Sequence, residues 1–255
     1  MDSFVDGYGV ERHERMTDIL ERETGYEHLN FGTAANFGSI QEWLIYETLA
    51  SKFDHSPVFV FLLPDNDFLE NRTREEPDGR YRPHLRKVDG EFEVYYLVDF
   101  HPDRRDPELT PSKIRKNRFY NSSYIVNVIR QFDRNMNRKR KQNKRVPYDD
   151  FTAEDAEVLL YSYRKIVEHA GSREVTFFIV PRLMDLDAYD RKGYGFRIVP
   201  VMEEFAARYP NVQAVDLLHP ISWLTPSGKG WPTTTSTTAA TATGRAWATE
   251  WRRRR

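Results

Sequence analysis

Apolar positions along this chain switch repeatedly between a helical and an extended period. Met16, Ile19 and Leu20 fall at helical spacing, and Gly25 stands where it would end that helix. A further helix is expected from Ser39, with Ile40, Trp43 and Leu44 on one face. Between the two, residues 26–31 read as an extended stretch running into a glycine-containing turn. Residues 58–63 are continuously apolar, aromatic or β-branched and bounded by prolines, the pattern of a short strand buried on both faces. Residues 174–180 and 213–217 repeat the strand pattern, and 197–208 the helical one. Thr152 with Asp155 has the spacing of a capping box, Asp replacing the usual Glu, before an apolar stripe of Ala156, Leu159, Leu160, Tyr163, Ile166 and Val167.

This alternation predicts an α/β fold with a mainly parallel sheet. It is interrupted at residues 72–150, which read as an insertion. Within it, 81–86 and 91–98 flank Lys87-Val88-Asp89-Gly90, a hairpin signal with an Asp-Gly turn. A helix over 124–132 then leads into a basic run at 134–145. Residues 1–230 read as one domain and 231–255 as a Thr/Ala-rich tail ending in four arginines.

Composition narrows the function classes. The chain has 255 residues, enough for one α/β domain with a full core. Hydrophobic residues make up 39% and the net charge is −1, so the whole-protein field favours neither nucleic acid nor an anionic membrane. The 134–145 run lacks aromatic interleaving and reads as a solvated helix end rather than a nucleic-acid site. The absence of cysteine excludes disulfides, thiolate metal sites and a cysteine nucleophile. His84 and His101 have no partners at metal-ligand spacing, no phosphate-binding glycine loop is present, and no metal or cofactor is expected. The longest apolar run, 57–64, is too short to cross a bilayer, and the opening residues do not form a signal peptide. Nothing in the chain sets an oligomeric state or a compartment.

Three turns carry the candidate chemistry. They hold Asp2-Ser3-Phe4 with Gly7-Tyr8-Gly9-Val10, then the 30–41 segment Asn-Phe-Gly-Thr-Ala-Ala-Asn-Phe-Gly-Ser-Ile-Gln, then Pro64-Asp65-Asn66-Asp67 directly after a strand. In a parallel sheet the carboxyl ends of strands gather at one crevice, so groups distant in sequence can meet there. Acyl transfer needs an activated hydroxyl and fixed donors for the oxyanion, each donor worth roughly 3–4 kcal/mol of barrier. Ser3 offers the hydroxyl; its own N–H, that of Ala35 and the Asn66 side-chain amide offer donors.

These segments, taken in order, resemble the sequence blocks of the SGNH (GDSL-like) hydrolase superfamily. Residues 1–4 with the following Gly-x-Gly-Val resemble its first block, 30–41 its second and 64–71 its third, over a span of about 1–218. The resemblance implies a three-layer α/β/α sandwich of flavodoxin-like type. It also implies an ester hydrolase or acyltransferase acting on small-molecule or carbohydrate acyl esters, including O-acetyl groups. By carry-over Ser3 is the nucleophile, and Ala35 and Asn66 belong to the oxyanion hole. Met1, Ala35 and Pro64 stand where the family has glycine. The family also places a strand before its first block, and the given chain shows none, so its central strand is expected to be missing and its activity low.

The family's Asp and His lie near its C-terminus. Asp216-Leu217-Leu218-His219-Pro220 matches the D-x-x-H-P spacing, although the strand end falls on it and the expected following glycine is absent. A surface or hinge role for His219 competes with a catalytic one. A different expectation concerns the tail. Shifted by one base, the codons for Ala240-Thr241-Ala242-Thr243-Gly244 permit Asp-Gly-His-Trp, and those for Trp247-Ala248 force a glycine three codons on. The tail after about Gly230 would then be an out-of-frame version of the family's ending; an ordinary Thr/Ala linker is the alternative. A non-catalytic, carbohydrate-binding relative is the competing function.

Overall fold

The computed structural model describes residues 3–7, 9–33, 37–72, 81–100, 146–193 and 195–219, with Ser3 described by its backbone alone. The expected helix 124–132, the basic run 134–145, Asp2, Ala35 and the 231–255 tail lie outside the described residues.

Within the described residues the fold is mixed α/β around a three-stranded parallel sheet. Its strands are β1 (Val58–Leu62), β4 (Val175–Ile179) and β5 (Val212–Asp216), in the order β1-β4-β5. A hairpin of β2 (Pro83–Val88) and β3 (Glu91–Tyr96) forms a separate sheet. Leu62 is in register with Ile179, and Ile179 with Asp216, so the three carboxyl ends finish level.

Period-two side chains explain why this sheet is buried on both faces. Val58, Val60, Leu62, Val175, Phe177, Ile179 and Val212 enter the main core. Phe61 and Phe178 point the other way and join Val5 and Leu217, with Phe59, Met16, Val180 and Val215 around them. The main core is completed by helices α3 (Ser39–Thr48), α6 (Ala153–Ala170) and α8 (Ile198–Ala206). In α6 the expected stripe is present, with Leu159, Tyr163, Ile166 and Val167 buried and Ala156 and Leu160 packed beside them. Tyr163 meets Phe177 of β4 with ring centroids 4.5 Å apart.

The opposite face is covered by α1 (Ser3–Asp6) and, through Met16, by α2 (Met16–Thr24). Gly25 caps α2 at φ 76°. The capping box of α6 forms as expected: Asp155 N donates to Thr152 Oγ1 at 3.1 Å, and Thr152 N donates to Asp155 Oδ2 at 2.8 Å. The hairpin turns at Asp89 and Gly90, with φ 51° and 90°.

Residues 26–31 join no strand among the described residues, and three expectations are corrected. The Pro64-Asp65-Asn66-Asp67 segment is no simple turn: it opens helix α4 (Pro64–Asn71), with proline at the first position, where no donor is needed. A helix absent from the sequence reading, α7 (Leu183–Lys192), follows β4. Directly after the hairpin, Leu97–Phe100 forms a short α5 where the sequence pattern continued as strand to residue 98.

Candidate functional site

The site is built from the carboxyl ends of the strands and the segments that cross them. α1 carries Ser3 as its first residue. It is held by the segment that follows α2. Asn30 Nδ2 donates to the Val5 carbonyl at 2.7 Å and to Thr17 Oγ1 at 3.2 Å. Asn30 Oδ1 in turn accepts from Gly32 N at 2.7 Å, folding the segment back on itself. Gly32 then passes so close to α1 that a Cβ there would stand 2.2 Å from Asp6 N. Only glycine permits that approach.

The same segment reaches the third block a few residues later. Asn66 is half-buried at the start of α4, and its Nδ2 donates to the Phe37 carbonyl at 3.5 Å, a bond at the limit of useful length. Asn71 Oδ1 accepts from Ile40 N at 3.4 Å, and its Nδ2 donates to Ser39 Oγ at 2.8 Å. Asp67 is fully buried, and its Oδ2 accepts from Leu63 N at 2.8 Å, closing the turn that leaves β1. The three sequence blocks therefore touch in series: the first against the second through Val5 and Asp6, the second against the third through Phe37 and Ser39. Ala35 lies outside the described residues, as does the Ser3 side chain.

The sheet's carboxyl edge adds groups that the sequence did not mark. Arg182 pairs with Asp65, joining the residue that precedes α7 to the start of α4. Tyr148 is fully buried; its hydroxyl donates to the Ile179 carbonyl at 3.0 Å and faces Asp216 Oδ1 at 3.3 Å. Asp216 Oδ1 also accepts from Leu218 N at 3.0 Å. His219 is half-buried and stands edge-on to Tyr189, centroids 6.2 Å apart. One oxygen of Asp216 is thus tied to Tyr148 and to its own turn.

Asp185 shares this edge. It is fully buried, accepting from Arg182 N at 2.8 Å and from Tyr148 N at 3.5 Å. Burial pushes its carboxyl up to about 6, against the pull of those two amides. The Arg182-x-x-Asp185 spacing of a helix start was its only signal in the sequence.

Two ion pairs fix the borders of the insertion. Arg82 meets Glu70, both largely buried, and burial lowers the Arg82 guanidinium from its ordinary value. Arg72 forms a two-bonded pair with Asp155, at 2.8 Å and 2.6 Å. Burial raises the Asp155 carboxyl, but the bonds from Arg72 and Thr152 outweigh it and hold the group below its ordinary value.

Among the described residues no cluster of His, Asp and Glu suited to a metal ion occurs, and no helix is long and apolar enough to cross a membrane. Comparison with protein-family models, with curated proteins and with solved structures gives no match for the chain.

Proposed function

We propose that this chain is a serine ester hydrolase of the SGNH type acting on acyl esters, O-acetylated carbohydrate among them. The observation that carries the reading is the serial contact of three separate segments beside the sheet's carboxyl edge: Asn30 on Val5, Gly32 on Asp6, and Asn66 on Phe37. Each segment brings one element that acyl transfer requires. Ser3 Oγ attacks the ester carbonyl carbon while a base takes its proton, and the carbonyl oxygen becomes an oxyanion. The N–H groups of Ser3 and Ala35 and the Asn66 amide receive that charge. Collapse expels the alcohol, and water then releases the acyl group from Ser3. The parallel α/β sheet with helices packed on it supports the three-layer, flavodoxin-like arrangement in which such loops meet.

A fluorophosphonate probe tests the reading. Labelling of the folded chain that disappears in Ser3→Ala supports it, and absence of labelling overturns it. His219→Ala separates the two sources of the base. Loss of labelling assigns it to the Asp216–His219 pair; retention places it elsewhere in the chain.

A second reading, a non-catalytic carbohydrate-binding relative, draws on the tie of Asp216 to Tyr148 and Leu218, which makes that carboxylate a structural strap. It predicts an unlabelled Ser3 together with retained sugar binding.

A further inference from the structure

Two polar atoms that flank α1 are buried without a hydrogen-bond partner: Nε of Arg15 and Oγ1 of Thr33. An unmet buried donor or acceptor is costly and calls for a reason. A Cβ on Gly7, in the turn that ends α1, would stand 2.7 Å from Arg15 Cγ and 3.4 Å from its Nε, so the arginine stem lies along that turn. Thr33 directly follows Gly32, which is pressed against Val5 and Asp6.

The arginine is also unusual in its charge. Arg72, Arg82 and Arg182, similarly half-buried or more, each meet a carboxylate. The Arg15 guanidinium has no hydrogen bond or ion pair among the described residues. The carboxylates closest in sequence are engaged elsewhere: Asp18 with Arg12, and Glu14 with the Glu11 amide. Segments 1–11 and 25–51, which surround α1 in sequence and contact, contain no lysine or arginine. Arg15 is thus a half-buried cation without a carboxylate partner among the described residues, and its planar fork suits a carboxylate.

We infer that Arg15 holds a carboxylate carried by the ester substrate. The inference rests on Ser3 being the nucleophile. α1 has four residues, so Gly7 and the Arg15 stem beside it lie about 6 Å along the chain axis from Ser3. That distance suits a carboxylate about one sugar ring from the scissile bond, as in an acylated uronate, or at the far end of a dicarboxylic acid half-ester.

The test is an NMR titration of the full chain bearing Ser3→Ala, so that nothing is turned over. The probes are glucuronate against glucose, and monoethyl succinate against ethyl butyrate. The expected result is preference for one charged member of a pair, weakened about 10–100-fold in Arg15→Gln and largely kept in Arg15→Lys. The pair that responds tells whether the carboxylate belongs to the sugar or to the acyl group. Equal binding of charged and neutral members overturns the inference, as does an unchanged affinity in Arg15→Gln. Preference for inorganic phosphate over both carboxylates also overturns it. Should Arg15→Gln not fold, loss of the charged-over-neutral preference at high salt in the Ser3→Ala chain replaces it as the readout, and a salt-independent preference counts against the inference. Fluorophosphonate labelling of the unaltered chain is run in parallel. Carboxylate binding without labelling would leave the Arg15 site standing while removing the hydrolase reading.

Discussion

Asn30 donates its side-chain amide to the carbonyl of Val5 at 2.7 Å, reaching back across twenty-five residues to the helix that begins with Ser3. That one side chain also bonds Thr17 and the Gly32 amide, so it joins α1, α2 and the segment leading to Asn66. A residue with this many polar obligations cannot be replaced by an apolar one without leaving several groups unmet.

Asn30→Ala is therefore expected to lower unfolding free energy by about 1–3 kcal/mol, the cost of unsatisfied part-buried groups. Urea denaturation measures it. An unchanged midpoint would mean that water replaces the amide freely.

Gly32→Ala should act on position rather than on bonds. Its new methyl would need the space of Asp6 N, which is backbone and cannot swing aside. We expect α1 to be pushed off the sheet, with about 1–3 kcal/mol of lost stability and fluorophosphonate labelling reduced at least about tenfold. The labelling rate per folded molecule is the measurement. A normal rate would separate α1 from the chemistry.

Asp185 gives the fold an acid-favouring contribution. Its carboxyl is raised from 3.8 to about 6 in the folded protein, so between these values the folded chain holds a proton that the unfolded chain has lost. The stability from this group is complete below 3.8 and is lost as pH rises through about 6. The loss is on the order of 2–3 kcal/mol by linkage. Asp185→Asn should flatten this part of the stability–pH profile, followed by thermal melts from pH 4 to 7. A wild-type profile in the variant would refute the assignment.

Asp155 should behave with the opposite sign. Its carboxyl is held below the ordinary 3.8, so its contribution is present above that value and disappears as pH falls below it. Asp155→Ala removes both the α6 cap and the partner of Arg72. The expected cost at pH 7 is about 2–3 kcal/mol, measured by urea titration. A much smaller loss at pH 2 than at pH 7 completes the test.

The elements that were legible in the sequence are those whose signals are local. α2 and α6 carry a helical stripe together with a capping residue, α3 carries a stripe alone, and β1, β4 and β5 are short strand patterns between breakers. α4 was read as a turn because Pro, Asp and Asn all favour turns, yet the same residues start helices: Pro64 needs no donor, and Asp67 receives the Leu63 amide. α7 was hidden by its charges, since Asp185, Asp187, Asp190, Arg191 and Lys192 leave little apolar stripe. Residues 26–31 have an extended pattern, but whether such a stretch becomes a strand depends on a distant partner.

The site divides in the same way. The order of the three blocks could be read along the chain, and so could Asn66 at a strand end. That Asn30 would hold Val5, that Tyr148 would bridge Ile179 and Asp216, or that Arg15 would lie on Gly7 could not. Those contacts depend on how the segments are placed in space, and no spacing in the chain encodes them.

The clasp between Arg72 and Asp155 has a consequence for how this architecture can vary. It brings together two points separated by eighty-three positions in the chain, and through Thr152 the same carboxylate starts a helix of the main body. The clasp is one of several ties between that stretch and the core: Arg82 pairs with Glu70, Lys87 with Glu157, and Tyr148 is buried in the main core with Leu85 and Val94 packed against it. Because closing a longer loop costs only logarithmically more, changes of length between these ties have a modest thermodynamic effect while the ties hold. Variation in partners or substrates can therefore accumulate between those ties while the three parallel strands keep their places.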